Sequence, residues 1–378
     1  MFRIALLLLA TIDIGTIFIA CTRMGLFNVT PTFDEQTDML PPTVETITNQ
    51  GVQEAPVSAE QYRKKPRPER HGPYGTMNSL DFTRRYLSYE EMHKYLNYVR
   101  QKRPDMVKLS LIGNSYEKRP LTAVTISSKN PSKTILIDAG IHAREWIAPA
   151  TALYVIDRLV RHANESRDLL SNLTWIILPL VNPDGYEYSL KVDKYWRKTR
   201  RPHRRCHGTD INRNFGFHWG EKGASRNECV PTFAGPEAFS EPETRALRNF
   251  LLSKNSSIDF YLSLHSYGRF LLYPWGFKKD LSRRWKLMDA VARAGSVAMK
   301  LKHNANYRVG GAANLLYEAS GGSDDYALAV ARIPIVITME LPGDKNGFHP
   351  TQANIAPFLE EAFTGIRAMA IEALQPKV

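Results

Sequence analysis

Thr134-Ile-Leu-Ile-Asp-Ala-Gly-Ile141, followed at once by His142-Ala-Arg-Glu145-Trp146, decides how this chain is read. The first stretch is an apolar run of strand length. An imidazole and a carboxylate then stand three residues apart at its carboxyl end. Open α/β sheets gather their ligand sites at that end of their strands. Imidazole nitrogen and carboxylate oxygen suit Zn²⁺, and a catalytic zinc commonly takes three protein ligands and keeps one position for water. Taken alone, a His-x-x-Glu spacing reads rather as a surface turn with a solvated His and Glu. A third ligand has to be found, and His265 offers one at the end of a second apolar run, Asp259-Phe-Tyr-Leu-Ser-Leu264.

Working outward, apolar runs at 107–113, 121–127, 133–139, 173–180, 259–264 and 333–340 predict strands. Stretches of helical period at 147–162, 241–254, 282–303 and 354–374 predict helices. Ser88-Tyr-Glu-Glu91 is a capping box that starts a helix running to Lys102, and Pro104 ends it. The alternation predicts one α/β domain over 78–376: a mixed, mostly parallel twisted sheet with helices on both faces. No internal repeat is present, and 190–235 reads as loop.

The chain has 378 residues, 43% of them hydrophobic, enough for one large core. Its net charge is +12, and Lys191 to Arg205 holds eight cations in fifteen residues. That run could contact a polyanion. It carries no base-reading motif, so nucleic acid is not an expected partner.

Residues 1–20 read as a secretory signal, with Arg3 before the apolar stretch Ile4 to Ala20. Asp13 interrupts the stretch and argues against a membrane span, although an uncleaved anchor stays open. Residues 21–77, rich in Pro, Thr, Gln and Glu, read as a disordered leader or linker without a folded pro-domain. Cys21 lies at the expected cleavage region, which leaves Cys206 and Cys229 to pair in an oxidising compartment. N-x-S/T sequons at Asn28, Asn164, Asn172 and Asn255 agree with export. The expected location is extracellular.

Seven motifs then occur in order: His142-Ala-Arg-Glu145-Trp146, Asn182-Pro-Asp-Gly185-Tyr186, Trp196-Arg-Lys-Thr-Arg200, Asp210-Ile-Asn-Arg-Asn214, Leu264-His-Ser-Tyr267, Tyr317-Glu-Ala-Ser-Gly-Gly-Ser-Asp324 and Thr338-Met-Glu-Leu341. The chain resembles the funnelin-type zinc metallocarboxypeptidases of the pancreatic carboxypeptidase A/B group over about residues 78–376. The resemblance implies one Zn²⁺ per chain, held by His142, Glu145 and His265, with Asp210 orienting His142. It implies Glu340 as general base and Arg197 as oxyanion stabiliser. Arg213, with Asn212 and Tyr317, would hold the free carboxylate of a peptide C-terminus, which matches the guanidinium fork. Arg144 and Tyr267 would line the upstream subsites.

Asp324 matches the position at the floor of the side-chain pocket, and Ala312 a wall position. A carboxylate floor with a small wall implies a preference for C-terminal Lys or Arg, as in carboxypeptidase B. Neutral, A-type preference is the alternative, and an inactive relative used as a binding module is a more distant one. Asp325, beside Asp324, reads as a solvated turn residue. A monomer is expected. The chain departs from the family in lacking sequence for a folded pro-domain and in reading Leu341-Pro-Gly-Asp344 after Glu340. Serine hydrolase chemistry has no G-x-S-x-G elbow here.

Overall fold

The computed structural model describes residues 81–127 and 131–375. The expected signal, leader and Asn28 sequon lie outside these residues. The strands are β1 (Val107–Asn114), β2 (Pro120–Ser127), β3 (Lys133–Ala139), β4 (Leu173–Leu178), β5 (Phe260–Ser266), β6 (Phe270–Tyr273), β7 (Arg308–Gly311) and β8 (Ile335–Leu341). The helices are α1 (Tyr89–Lys102), α2 (Ile147–Val160), α3 (Arg167–Leu170), α4 (Pro183–Lys191), α5 (Pro242–Lys254), α6 (Trp285–His303), α7 (Ala312–Leu315), α8 (Ser323–Ala329) and α9 (Gln352–Leu374).

The strands form one eight-stranded sheet in the order β1-β2-β4-β3-β5-β8-β6-β7. Its centre, β4-β3-β5-β8, is parallel, and antiparallel pairs flank it. Side chains alternate between faces along a strand. In β3 both sets, Leu136 and Asp138 on one face and Ile135, Ile137 and Ala139 on the other, are buried. Both faces are therefore covered, which is why the central strands read as continuous apolar runs rather than alternating ones.

Local sequence sets the boundaries. The capping box at Ser88 forms as expected: Glu91 N–H donates to Ser88 Oγ at 3.3 Å and Ser88 N–H to Glu91 Oε2 at 2.9 Å. The strand predicted over 173–180 stops at Leu178, because Pro179 has no N–H to give the ladder. The one predicted over 259–264 continues through His265 to Ser266. The short strands β6 and β7 and the helices α3, α4, α7 and α8 were not predicted. At the Asn182-Pro-Asp-Gly185 motif, Asn182 Oδ1 accepts from the Gly185 N–H at 3.0 Å and Pro183 opens α4.

Candidate metal centre and substrate cleft

The parallel strands β3, β5 and β8 deliver their carboxyl ends to one pole. The chain leaves β3 through Gly140 at φ +67°, where a Cβ would lie 2.5 Å from Leu180 Cδ1. Only glycine turns there without strain. The turn places His142 and Glu145 just before α2, and β5 carries His265 to meet them. His142 Nδ1 lies 2.8 Å from Glu145 Oε1 and 3.1 Å from His265 Nδ1, and His265 Nδ1 lies 3.0 Å from Glu145 Oε2. All three side chains are buried, and their ligand atoms lie within 4.8 Å of one another.

This donor set fits Zn²⁺. His142 Nε2 is 3.2 Å from Asp210 Oδ1, an arrangement that keeps the proton on Nε2 and frees the Nδ1 lone pair for a metal. Burial opposes ionisation of Glu145, yet His142 and His265 hold its carboxyl well below the usual range. Burial likewise lowers the His265 imidazolium, and Glu145 overrides it, pushing the group up to about 9. The point where the three meet thus favours positive charge, which a dication supplies.

Asp210 couples this centre to a guanidinium. It is fully buried and accepts from Arg197 Nε at 2.9 Å through Oδ2 and from Asn212 N–H at 2.9 Å through Oδ1. Burial works against the Arg197 charge, and Asp210 more than restores it. Glu340 stands beside His265 in the β5–β8 register. Burial, then the Glu145 carboxylate, raise its carboxyl to about 7, against His265 and Arg197.

The expected carboxylate-binding residues Asn212 and Arg213 follow Asp210 in one short turn. Arg213 is buried, with Nε donating to Gly223 O and Nη1 to Asn212 O, both at 2.8 Å. These contacts fix the guanidinium plane and leave its Nη2 donors uncommitted. Asn212 Oδ1 accepts from Ser323 N–H at 2.9 Å, so its amide N–H₂ is its remaining polar group. Tyr317 lies between α7 and α8 and is 51% exposed. Arg144 stacks its guanidinium 4.2 Å over the Phe348 ring, and Tyr267 meets the same ring edge-on at 4.9 Å. Ala312 opens α7 and is partly buried.

Asp324 and Asp325, in the first turn of α8, part company. Asp324 is 9% exposed and accepts from Thr338 Oγ1 at 3.3 Å. Asp325 is not the solvated turn residue expected. It is fully buried and accepts from the N–H groups of Gly276 and Phe277 at 2.8 and 2.9 Å. The sequence offers two adjacent carboxylates, and only the tertiary fold shows which one faces a loop of unsatisfied donors.

The basic run is divided, with Lys191, Lys194, Arg204 and Arg205 exposed and the other four partly or fully buried. Lys198 is buried with Nζ donating to Glu228 O at 2.6 Å, and burial brings its ammonium down to about 8. Arg200 stacks on Tyr188 and Trp196, and Arg201 donates to Ser240 O. The loop beyond is closed by the Cys206–Cys229 disulfide, as expected.

Sequence reading missed the loop 342–350. Asp344 organises it, accepting from Asn346 N–H, Thr351 N–H and Asn354 Nδ2 at 2.8, 2.7 and 2.9 Å. These bonds hold its carboxyl at about 2 against the cost of burial. The loop presents Phe348 to Arg144 and packs His349 at a tilt against Trp146, with centroids 4.1 Å apart. The sequence signal for it is Asp344-Lys-Asn-Gly347, whose ends form an antiparallel bridge.

Comparison with known proteins agrees with this geometry. A family model described as zinc carboxypeptidase matches residues 92–365. Carboxypeptidase B of Astacus astacus is 38% identical over 296 residues, spanning 77% of this chain and 97% of that protein. Human carboxypeptidase O is 39% identical, spanning 73% of this chain and 76% of that protein. Among solved structures, bovine thrombin-activatable fibrinolysis inhibitor, in complex with tick carboxypeptidase inhibitor, superposes with a TM-score of 0.74 at 36% identity, covering 78% of this chain and 99% of its own. Carboxypeptidase A from Helicoverpa armigera gives 0.73 at 35% identity, covering 77% and 74%. With a His-Glu-His centre at the carboxyl pole of a matching sheet, the chain belongs to the zinc carboxypeptidase family, and is a zinc-dependent hydrolase acting on peptide C-termini.

Proposed function

We propose that this enzyme is exported and removes C-terminal Lys or Arg from peptides and proteins. The observation that carries the specificity is Asp324. It is nearly buried, it lies in the first turn of α8, and it has no cationic partner among the described residues. A buried carboxylate left without a counter-charge is costly, and a long cationic side chain entering the pocket removes that cost. Ala312 as a wall leaves room for such a chain.

The roles follow from position. His142, Glu145 and His265 hold Zn²⁺, which when bound polarises the scissile carbonyl and acidifies a water. Glu340 takes the proton from the attacking water and passes it to the leaving amine, the two tasks of a general acid–base carboxyl beside the metal centre. Arg197, held by Asp210, supplies charge where the oxyanion develops. Arg213, Asn212 and Tyr317 receive the terminal carboxylate, and Arg144 and Tyr267 border the upstream residues.

Residues 1–20 as a signal and 21–77 as a leader complete the reading, with the enzyme acting as a monomer. Polyanion contact through 191–205 is confined to its exposed members, chiefly Lys194, Arg204 and Arg205. Among the described residues no helix is long and apolar enough to cross a membrane. Hydrolysis of matched peptides ending in Arg, Lys, Phe and Leu tests the specificity. Faster release of Phe and Leu would assign the A-type preference instead. N-terminal sequencing of protein recovered from the medium tests export.

A further inference from the structure

Three sequons lie within the described residues, and the fold gathers them at one pole. β3, β4 and β5 run parallel, and their carboxyl ends lead into His142 and His265. Asn172 immediately precedes β4, and its carbonyl accepts from Ser132 and Lys133 N–H where β3 begins. Asn255 follows α5 and precedes β5, on the other side of the start of β3, where Asp259 N–H donates to Thr134 O. Asn164 sits between α2 and β4. All three are at the amino pole, a strand length or ~20 Å from the zinc ligands.

The three differ in what their amides do. Asn164 Oδ1 accepts from Arg167 at 3.3 Å, and the hydroxyl of its sequon, on Ser166, is buried and donates to Arg158 O. Asn172 and Asn255 are exposed, and neither side-chain amide is engaged by another described residue. Their sequon hydroxyls belong to Thr174, which meets Ser127 Oγ at 3.1 Å, and to Ser257, which is exposed and donates to Lys254 O at 2.9 Å, whereas the Ser166 hydroxyl is buried.

We propose that Asn172 and Asn255 carry N-linked glycans on the pole opposite the cleft. The inference rests on the reading of this enzyme as exported. In the transfer, each Asn Nδ2 bonds to the anomeric carbon of a lipid-linked oligosaccharide, the lipid pyrophosphate leaves, and the amide gives up one proton. Glycans at these positions coat the back of the sheet and leave the mouth of the cleft open to protein C-termini, so catalysis does not depend on them.

The test expresses the full chain in cells with a eukaryotic secretory pathway, once with its own residues 1–20 and once with an unrelated signal sequence in their place. N-glycosidase treatment should lower the mass of the secreted protein. Asn172→Gln and Asn255→Gln should each remove one glycosidase-sensitive step, and the double variant both, with peptidase activity within twofold of wild type. Thr174→Val and Ser257→Ala should remove the same steps while keeping the asparagines, which separates loss of the acceptor from misfolding. Glycans at both positions under the unrelated signal only would uphold the sites and overturn export through residues 1–20. Secreted protein whose Asn172 and Asn255 are unmodified under either signal overturns the proposal and leaves export standing.

Discussion

His265 and Glu340 are partners in the β5–β8 register, side by side on neighbouring parallel strands. Strands in a sheet lie about 4.8 Å apart. The proposed metal ligand and the proposed general base are therefore spaced by the sheet itself, not by a loop. Beyond Glu340 the chain enters the loop 342–350, so the same strand ends by supplying Phe348 to the cleft wall.

Glu340→Gln keeps the size of this side chain and removes its basicity. Turnover should fall by on the order of 10²-fold or more. Zinc content should stay at one per chain, because Glu340 is outside the His142, Glu145 and His265 set. Metal analysis alongside steady-state kinetics checks both halves; ordinary turnover would remove Glu340 from the mechanism.

Asp210 touches both halves of the site, the His142 imidazole and the Arg197 guanidinium. Asp210→Asn keeps a hydrogen-bonding side chain but loses the charge. We expect weaker zinc retention, by about 10- to 100-fold, as is typical when the partner of a metal-bound imidazole is removed. Competition with a chelator measures it. Unchanged zinc affinity would show that His142 needs no such partner.

The adjacent aspartates should separate cleanly. Asp324→Ala should lower activity on Arg and Lys ends by roughly 10- to 150-fold, the equivalent of one charge-assisted contact of about 1.5–3 kcal/mol. Leu and Phe ends should suffer far less. Asp325→Ala should instead destabilise the fold, since it strands the Gly276 and Phe277 N–H groups at about 1–3 kcal/mol each. Chemical denaturation tells the two apart.

Glu243 supplies a pH dependence remote from the metal. It is fully buried, Oε1 accepts from Tyr116 N–H at 2.9 Å, and Oε2 has no partner among the described residues. Burial raises its carboxyl from 4.5 to about 8. Between those values the folded state holds a proton that the unfolded state has lost, so stability falls as pH rises through this window. In Glu243→Gln that loss should vanish, making the variant gain on wild type from pH 5 to about 8. Parallel denaturation curves across the range would contradict the assignment.

How much of this was legible depended on whether the signal was local. His142, Glu145 and His265 could be found because each follows an apolar run, and a run buried on both faces marks a central parallel strand. The seven ordered motifs then assigned the remaining groups by resemblance. The four-residue strands β6 and β7 are too short for periodicity to reveal, and they exist because β8 offers an edge to β6 and β6 in turn offers one to β7. The burial of Asp325 and the sheltering of Lys198 depend on donors and acceptors dozens of residues away. Phe348 and His349 reach the cleft only because Asp344 folds their loop back.

The most direct test of the account is hydrolysis of four matched peptides, ending in Arg, Lys, Phe and Leu, by the purified enzyme before and after chelation and again after zinc is restored. The account predicts preferential release of Arg and Lys, loss of all four activities with the metal, and their return with one zinc per chain. Faster release of Phe and Leu would contradict the role given to Asp324, and activity that survives complete removal of zinc would contradict the mechanism.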